Sequence, residues 1–367
     1  MSRPWRRIAL IVLLGLCTGC DATHAVAAQT LSAMNVATAE QLSPQQLGQQ
    51  LAAMHAHGVT VVRSDAPWNL LQPRPPGPTG PGWRWARTDA WVTAFAQHGL
   101  TWEPILDYSA GWAKLCQGFC APKSNSTYAA FAQAVAARYG VNGSFWTQHP
   151  RLHFHPAQVF EIWNEENVPT FEVAPERYAS LYAAARRAIR AVDPSASVIV
   201  GGLADDARPF SPRQDYPSRY VRSMFAAAPA LVGQVDGFGL HPYGATGVDV
   251  EEWTVHFRQT LDSVGEGSAP IYVTEVGWPT GGPHGESWRA GQMRSVAHAL
   301  SRSNCGIRLL APYDWINPTV LPSSDFGLVG AGPRRIALRP AGVAWFNALR
   351  SRGSELRLCP GAGPLPG

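Results

Sequence analysis

The chain has 367 residues, 46% of them hydrophobic, 15% charged and 10% aromatic. That balance excludes a disordered or low-complexity chain, which would be poor in apolar residues and rich in charge. The formal net charge is only +4, and the basic residues form no block, so a nucleic-acid partner is not expected. At the N-terminus, Arg3, Arg6 and Arg7 precede an apolar stretch from Ile8 to Cys17. The stretch is shorter than the ~20 residues a membrane-spanning helix needs, so residues 1–28 read as an export signal. Two endings compete. Small residues at Ala25, Ala27 and Ala28 suit a signal peptidase, whereas Gly19-Cys20 resembles a bacterial lipoprotein box with a lipid anchor on Cys20. Either way the expected location is outside a bacterial cytoplasm: secreted, periplasmic or anchored in the envelope. The anchor is the only membrane contact expected.

Beyond the signal, short apolar runs alternate with helical patterns. Strands are expected at Leu31–Ala37, Val59–Arg63, Leu100–Asp107, Gln158–Asn164, Ser197–Gly202, Val235–His241, Pro270–Glu275 and Ile307–Asp314. Helices are expected at Ser43–His57, after a Ser-Pro start, and at Pro175–Val192, with apolar residues every three to four positions. Trp288–Arg302 and Arg339–Arg350 read the same way. Eight strands, each followed by a helix, describe a single (β/α)8 barrel of class α/β over residues 29–352, with a tail over 353–367. A doubly wound sheet is the weaker alternative, because no Gly-rich nucleotide turn follows the first strand. Coil-rich insertions follow strands two, three and five, on the face where barrels carry their sites.

Of the six cysteines, Cys17 and Cys20 belong to the signal. Cys116 and Cys120 bracket a short loop and are expected to pair, and Cys305 would pair with Cys359 to pin the tail. Free buried thiols are the bland alternative. Metal ligation is not expected, since no Cys-rich or His-rich cluster has ligand spacing. His153 and His155 precede strand four, at the wrong end of the barrel for a catalytic metal. No cofactor is expected.

The chemistry lies at two strand ends. Strand four ends in Trp163-Asn164-Glu165-Glu166, and strand seven ends in Thr274-Glu275. In a barrel these strands face each other across the cavity. Two facing carboxylates are what glycoside hydrolysis requires, one to protonate the departing oxygen and one to attack the anomeric carbon or activate water. Glu166 is expected to point away, because side chains alternate along a strand. Glu161, deeper in the strand, reads as part of a buried network.

On these residues the sequence resembles the retaining glycoside hydrolases of clan A, and within it family 39 and family 5 type enzymes. The resemblance covers nearly all of the chain after the signal. It implies Glu165 as acid/base, Glu275 as nucleophile, Asn164 on the sugar 2-hydroxyl and Arg63 beside the nucleophile. It also implies His241 and Tyr243 near the nucleophile and Trp315 under the reacting sugar. Glu166 stands where the clan more often has Pro or Gln, and the chain has no room for the β-sandwich that family 39 β-xylosidases carry. Asp107 near the end of strand three is a candidate substrate contact. Trp68, Trp112, Trp278 and Trp315 follow strand ends and are expected to line a sugar groove. The substrate would be an oligo- or polysaccharide and the protein a monomer. A transglycosylase with the same carboxylates and a silent polysaccharide-binding protein are the competing readings.

Overall fold

The computed structural model describes residues 30–36, 42–205, 208–281, 284–316, 325–330, 336–351 and 353–360. The expected signal, its Cys20 anchor and residues 361–367 of the tail lie outside them. Eight parallel strands form a closed barrel in sequence order: β1 Leu31–Asn35, β2 Val61–Asp65, β3 Thr101–Leu106, β4 Val159–Ile162, β5 Ser197–Ala204, β6 Phe238–His241, β7 Ile271–Val273 and β8 Ile307–Leu310. The intervening helices are α1 Pro44–Ala56, the short α2 Trp68–Leu71, α3 Ala86–Gln97, α4 Asn125–Tyr139, the short α5 Ser144–Gln148 and α6 Pro175–Val192. Then come α7 Tyr216–Ala227, α8 Gly247–Ser263, α9 Gly285–Leu300 and, after β8, α10 Pro340–Arg350. This is the (β/α)8 barrel. Among the described residues no helix is long and apolar enough to cross a membrane.

The helices start where the sequence chemistry allows. Ser43 and Gln46 form a capping box ahead of α1, Thr246 and Asp249 form another ahead of α8, and Asp215 caps α7. Several strands differ from expectation. β2 begins and ends two residues later than the apolar run suggested, while β4, β7 and β8 stop two to four residues short of their expected ends. Glu165 and Glu275 therefore stand on the turns just past β4 and β7, at the open face of the barrel.

Ala33, Val61, Ile199, Tyr272, Leu309 and Ala311 form a small buried apolar cluster separate from the main core. The larger apolar core lies between strands and helices. From α6, the Tyr178 and Tyr182 hydroxyls donate to the carbonyls of Ile162 and Val198, tying the helix to β4 and β5. Cys116–Cys120 and Cys305–Cys359 are joined as disulfides.

Candidate active site

Arg63 organises the site. It lies in β2 with its side chain inside the barrel and is 1% exposed. Its Nε and Nη2 donate to Glu161 Oε2 and Oε1 at 2.7 and 3.0 Å, a two-pronged pair. Nη1 donates to Asn35 Oδ1 and to Glu275 Oε1, both at 2.8 Å, and Nη2 also reaches Asn164 Oδ1 at 2.9 Å. One guanidinium thus joins β1, β2, β4 and the turns after β4 and β7. Burial works against its charge, but the Glu161 and Glu275 carboxylates more than offset this and hold its pKa well above the usual value.

Glu275 is braced on both oxygens. Arg63 donates to Oε1, and the Tyr243 hydroxyl donates to Oε2 at 2.8 Å. Burial and the charges of Glu275 and Glu165 keep the Tyr243 phenol well above its ordinary pKa, so it remains a donor. Across from Glu275, Glu165 Oε1 lies 2.9 Å from His241 Nδ1. The other ring nitrogen, Nε2, lies 3.6 Å from Glu275 Oε1 and 3.4 Å from Arg63 Nη2. The buried imidazole therefore stands between the two carboxylates.

The backbone is bent to make this possible. Trp163 and Glu165 take positive φ of 70° and 52°, and Tyr108 takes 51°. Non-glycine residues rarely adopt this region, at a cost on the order of 1–3 kcal/mol each. Hydrogen bonds hold the distorted turn: Trp163 N–H donates to the Leu106 carbonyl and Glu165 N–H to the Gly202 carbonyl. β5 carries an irregularity between Val200 and Leu203 that contains Gly201 and Gly202. A Cβ on Gly202 would stand 2.0 Å from His241 Nε2, so only glycine leaves room for the imidazole. Gly202 N–H also donates to Glu161 Oε1 at 2.8 Å. Glu166 turns away from the cavity and is buried against Tyr178, with an oxygen that would sit 2.4 Å from a Cβ on Gly201.

These groups open onto a cavity of about 290 Å³ lined by Arg63, Asp65, Tyr108, Asn164, Glu165 and Glu275, with Asn35, Phe171 and Tyr313 among the others. The structure brings together Arg63, Asn164, Glu165, His241, Tyr243 and Glu275 of the expected residues. It does not bring the four tryptophans to the cavity, and this corrects the expected groove. Trp68 starts α2 and stacks on Phe131 of α4 at 5.2 Å, its indole N–H donating to Gln72 Oε1. Trp112 packs edge-on against Trp68 and donates to the Gln72 carbonyl. Trp278 packs on Trp288 of α9 and donates to the Gly244 carbonyl. Trp315 is fully buried beside Phe346 of α10 and donates to Gln50 Oε1. Each indole is held by a helix or loop with its N–H satisfied, and the rings of Trp68, Trp278 and Trp315 are buried there.

Asp107 is corrected in the same way. It is buried behind the cavity wall and shares a side-chain hydrogen bond with Asp65, which does line the cavity. Burial, and then the neighbouring Asp65 charge, push its pKa well above the carboxylate range. The alternation Arg63, Asp65 on one strand was the signal that could have found Asp65. Asn35, which orients Arg63 and donates to the Thr274 carbonyl at 2.7 Å, carried no such signal.

Glu103 pairs in register with Arg63 on the adjacent strand and is buried. Burial and the Glu161 charge raise its pKa from 4.5 to about 8, against the pull of Arg63. Folded chains therefore hold this proton between pH ~4.5 and ~8 while unfolded chains have lost it, and stability falls as pH rises through that window. Relative to the parent, Glu103→Gln is expected to gain Tm between pH 5 and 8. A constant offset between the two melting curves across that range would show that Glu103 does not titrate this way.

One ligand atom from each of Glu165, His241 and Glu275 lies within 4.8 Å of the others, a spacing that suits a metal ion. The Arg63 guanidinium already occupies the Glu275 Oε1 side, so a second cation would meet a fixed positive charge.

No protein-family model matches the chain, and no curated protein matches it. Solved structures do. A monomeric β-xylosidase from Caulobacter crescentus CB15 superposes with a TM-score of 0.62 at 16% identity, over 89% of this chain and 70% of that one. A GH5_18 protein from Streptomyces cattleya, solved in complex with GlcNAc, gives 0.62 at 16% identity over 90% and 83%. A GH5_18 protein from Bifidobacterium longum subsp. infantis gives 0.63 at 11% identity over 90% and 81%. The chain has the barrel fold of these glycoside hydrolases. At such identities the likeness is one of fold, and what the barrel does rests on its own residues.

Proposed function

We propose that the chain hydrolyses O-glycosidic bonds of an oligo- or polysaccharide with retention of configuration. The observation that carries this reading is the pair of carboxylates, Glu165 and Glu275, whose oxygens approach within 4.8 Å at the mouth of the barrel. Retaining glycosidases hold their carboxyl groups ~5–5.5 Å apart, whereas inverting ones leave ~6.5–9.5 Å for a water.

The surroundings divide the roles. A nucleophile must be an oriented anion, and both oxygens of Glu275 are oriented, by a cation and by a phenol. Among the described residues Glu165 meets no arginine or lysine and rests on His241, which suits a group that passes a proton to the leaving oxygen and later takes one from water. Glu275 attacks the anomeric carbon as Glu165 protonates the departing oxygen. Water, deprotonated by Glu165, then displaces Glu275, and the second inversion restores the original configuration. Asn164 is placed for the 2-hydroxyl, a contact that strengthens as charge develops on the sugar. The two disulfides support an oxidising compartment, in keeping with export.

The direct test follows the first-formed anomer by NMR with an oligosaccharide the protein cleaves. The retained anomer is expected, and a first-formed inverted anomer would exclude the double displacement. Tyr243→Phe removes one charged-acceptor hydrogen bond, worth about 1.5–3 kcal/mol. It is expected to lower kcat about ten- to a hundredfold and Tm by a few degrees, and an unchanged kcat would remove Tyr243 from the site.

A further inference from the structure

The loop between β3 and α4 carries an apolar tip that the chemistry above does not use. Lys114 and Pro122 form an isolated antiparallel bridge at its base. Leu115 N–H donates to the Ala121 carbonyl, and Lys123 N–H to the Ala113 carbonyl. The Cys116–Cys120 disulfide closes the tip, and Lys114 Nζ donates to the Gly118 carbonyl across it. Phe119 sits within this covalent ring and is 50% exposed. Its ring centroid lies 5.3 Å from that of Tyr108 and 5.3 Å from that of Phe171. Tyr108 and Phe171 both line the cavity. Three aromatic rings therefore run from the reacting carboxylates out to solvent.

We infer that Phe119, with Tyr108 and Phe171, forms a binding subsite for the sugar unit next to the one held between Glu165 and Glu275. The inference rests on the glycosidase reading and extends it to the neighbouring residue of the glycan. An exposed apolar ring continuous with a polar cavity suits a ligand that is polar at one point and apolar at the next. A pyranose is such a ligand, with hydroxyls at its rim and C–H bonds gathered on its faces, which pack on aromatic rings. The three rings supply no charge, and all three nitrogens of Arg63, the cation lining the cavity among the described residues, are already engaged within the protein. The rings themselves therefore read the C–H face of a pyranose rather than a charged group on it. The disulfide and the cross-loop bonds hold the ring in place before the sugar arrives, so little ordering is needed on binding.

The test measures binding by calorimetry, separately from turnover, with cello-, manno- and chito-oligosaccharides from monosaccharide to pentasaccharide. Aromatic stacking of this kind corresponds to about a three- to tenfold change in affinity. Phe119→Ala is expected to raise Kd by that factor for chains long enough to reach the tip, with no such penalty for the monosaccharide. Phe119→Tyr is expected to restore the parent affinity. Cys116→Ser with Cys120→Ser is expected to weaken the same oligosaccharides, and parent-like affinity there would overturn the role of the disulfide. If the parent binds and cleaves oligosaccharides but Phe119→Ala binds them equally well, the subsite is excluded and the glycosidase reading stands. If the parent neither binds nor cleaves any glycan, both readings fall.

Discussion

Glu275→Ala is expected to lower kcat by on the order of 10⁵- to 10⁶-fold, the scale on which removing a covalent nucleophile acts. Activity should return in part when azide is supplied. Alanine opens a space beside the anomeric carbon where Oε1 and Oε2 stood, between Arg63 and Tyr243. Azide can attack from that side while Glu165 still protonates the leaving group, and the product is the inverted glycosyl azide. Glu165→Ala should behave differently. Loss of a general acid/base lowers rates by about 10²- to 10⁴-fold. It should be least harmful for substrates whose leaving group needs no proton. Azide then attacks the glycosyl–enzyme intermediate on Glu275 and gives the retained glycosyl azide. The two opposite stereochemical outcomes separate the roles, which a loss of activity alone would not. Wild-type turnover in both variants, on a substrate that the parent cleaves, would end the assignment.

The second large effect is on stability as well as rate. Arg63→Met is expected to destabilise the fold by about 3–5 kcal/mol, the cost of stranding a buried charge. Glu161 is fully buried and takes two of its contacts from Arg63, leaving the Gly202 N–H as its remaining donor among the described residues. Asn35 and Asn164 would lose a partner at the same time. Arg63→Lys keeps the charge but cannot reproduce a fork that reaches four side chains, so it should recover part of the stability and little of the kcat. Urea unfolding with an unchanged m-value is the measurement. Arg63→Met combined with Glu161→Gln removes the stranded charge and should regain stability without regaining activity. If the double variant is no more stable than Arg63→Met, the loss does not come from Glu161.

Much of this site was legible before the fold was known. The apolar runs and intervening helical stripes identify a barrel because strands and helices differ in hydrophobic period. Glu165 and Glu275 could be paired because strands four and seven of such a barrel face each other. Arg63, Asn164, His241 and Tyr243 could be added only through the resemblance to clan A enzymes, whose motifs these positions match. Glu103 was visible as a strand-three carboxylate, yet its isolation from any side-chain donor depends on neighbours that the linear order does not reveal.

The aromatics show where such reading stops. Trp68, Trp112, Trp278 and Trp315 do follow strand ends, but the two-residue alternation that aims side chains inward holds only within a strand. Past β2, β7 and β8 the chain turns, and the indoles at 68, 278 and 315 find Phe131, Trp288 and Phe346 on the outer helices. Tyr313 lines the cavity where Trp315 was expected, two residues earlier on the same turn. The same limit applies to Asp107, which gives way to Asp65 at the cavity wall.

By itself, then, the sequence determined the alternating architecture and the set of polar residues delivered to one end of the barrel, because hydrophobic period and strand ends are local properties. Only the tertiary structure decided which side chains face the cavity and which rings line it. That choice depends on left-handed turns at Tyr108, Trp163 and Glu165, on a Gly-Gly irregularity that admits His241, and on outer helices competing for the large apolar rings.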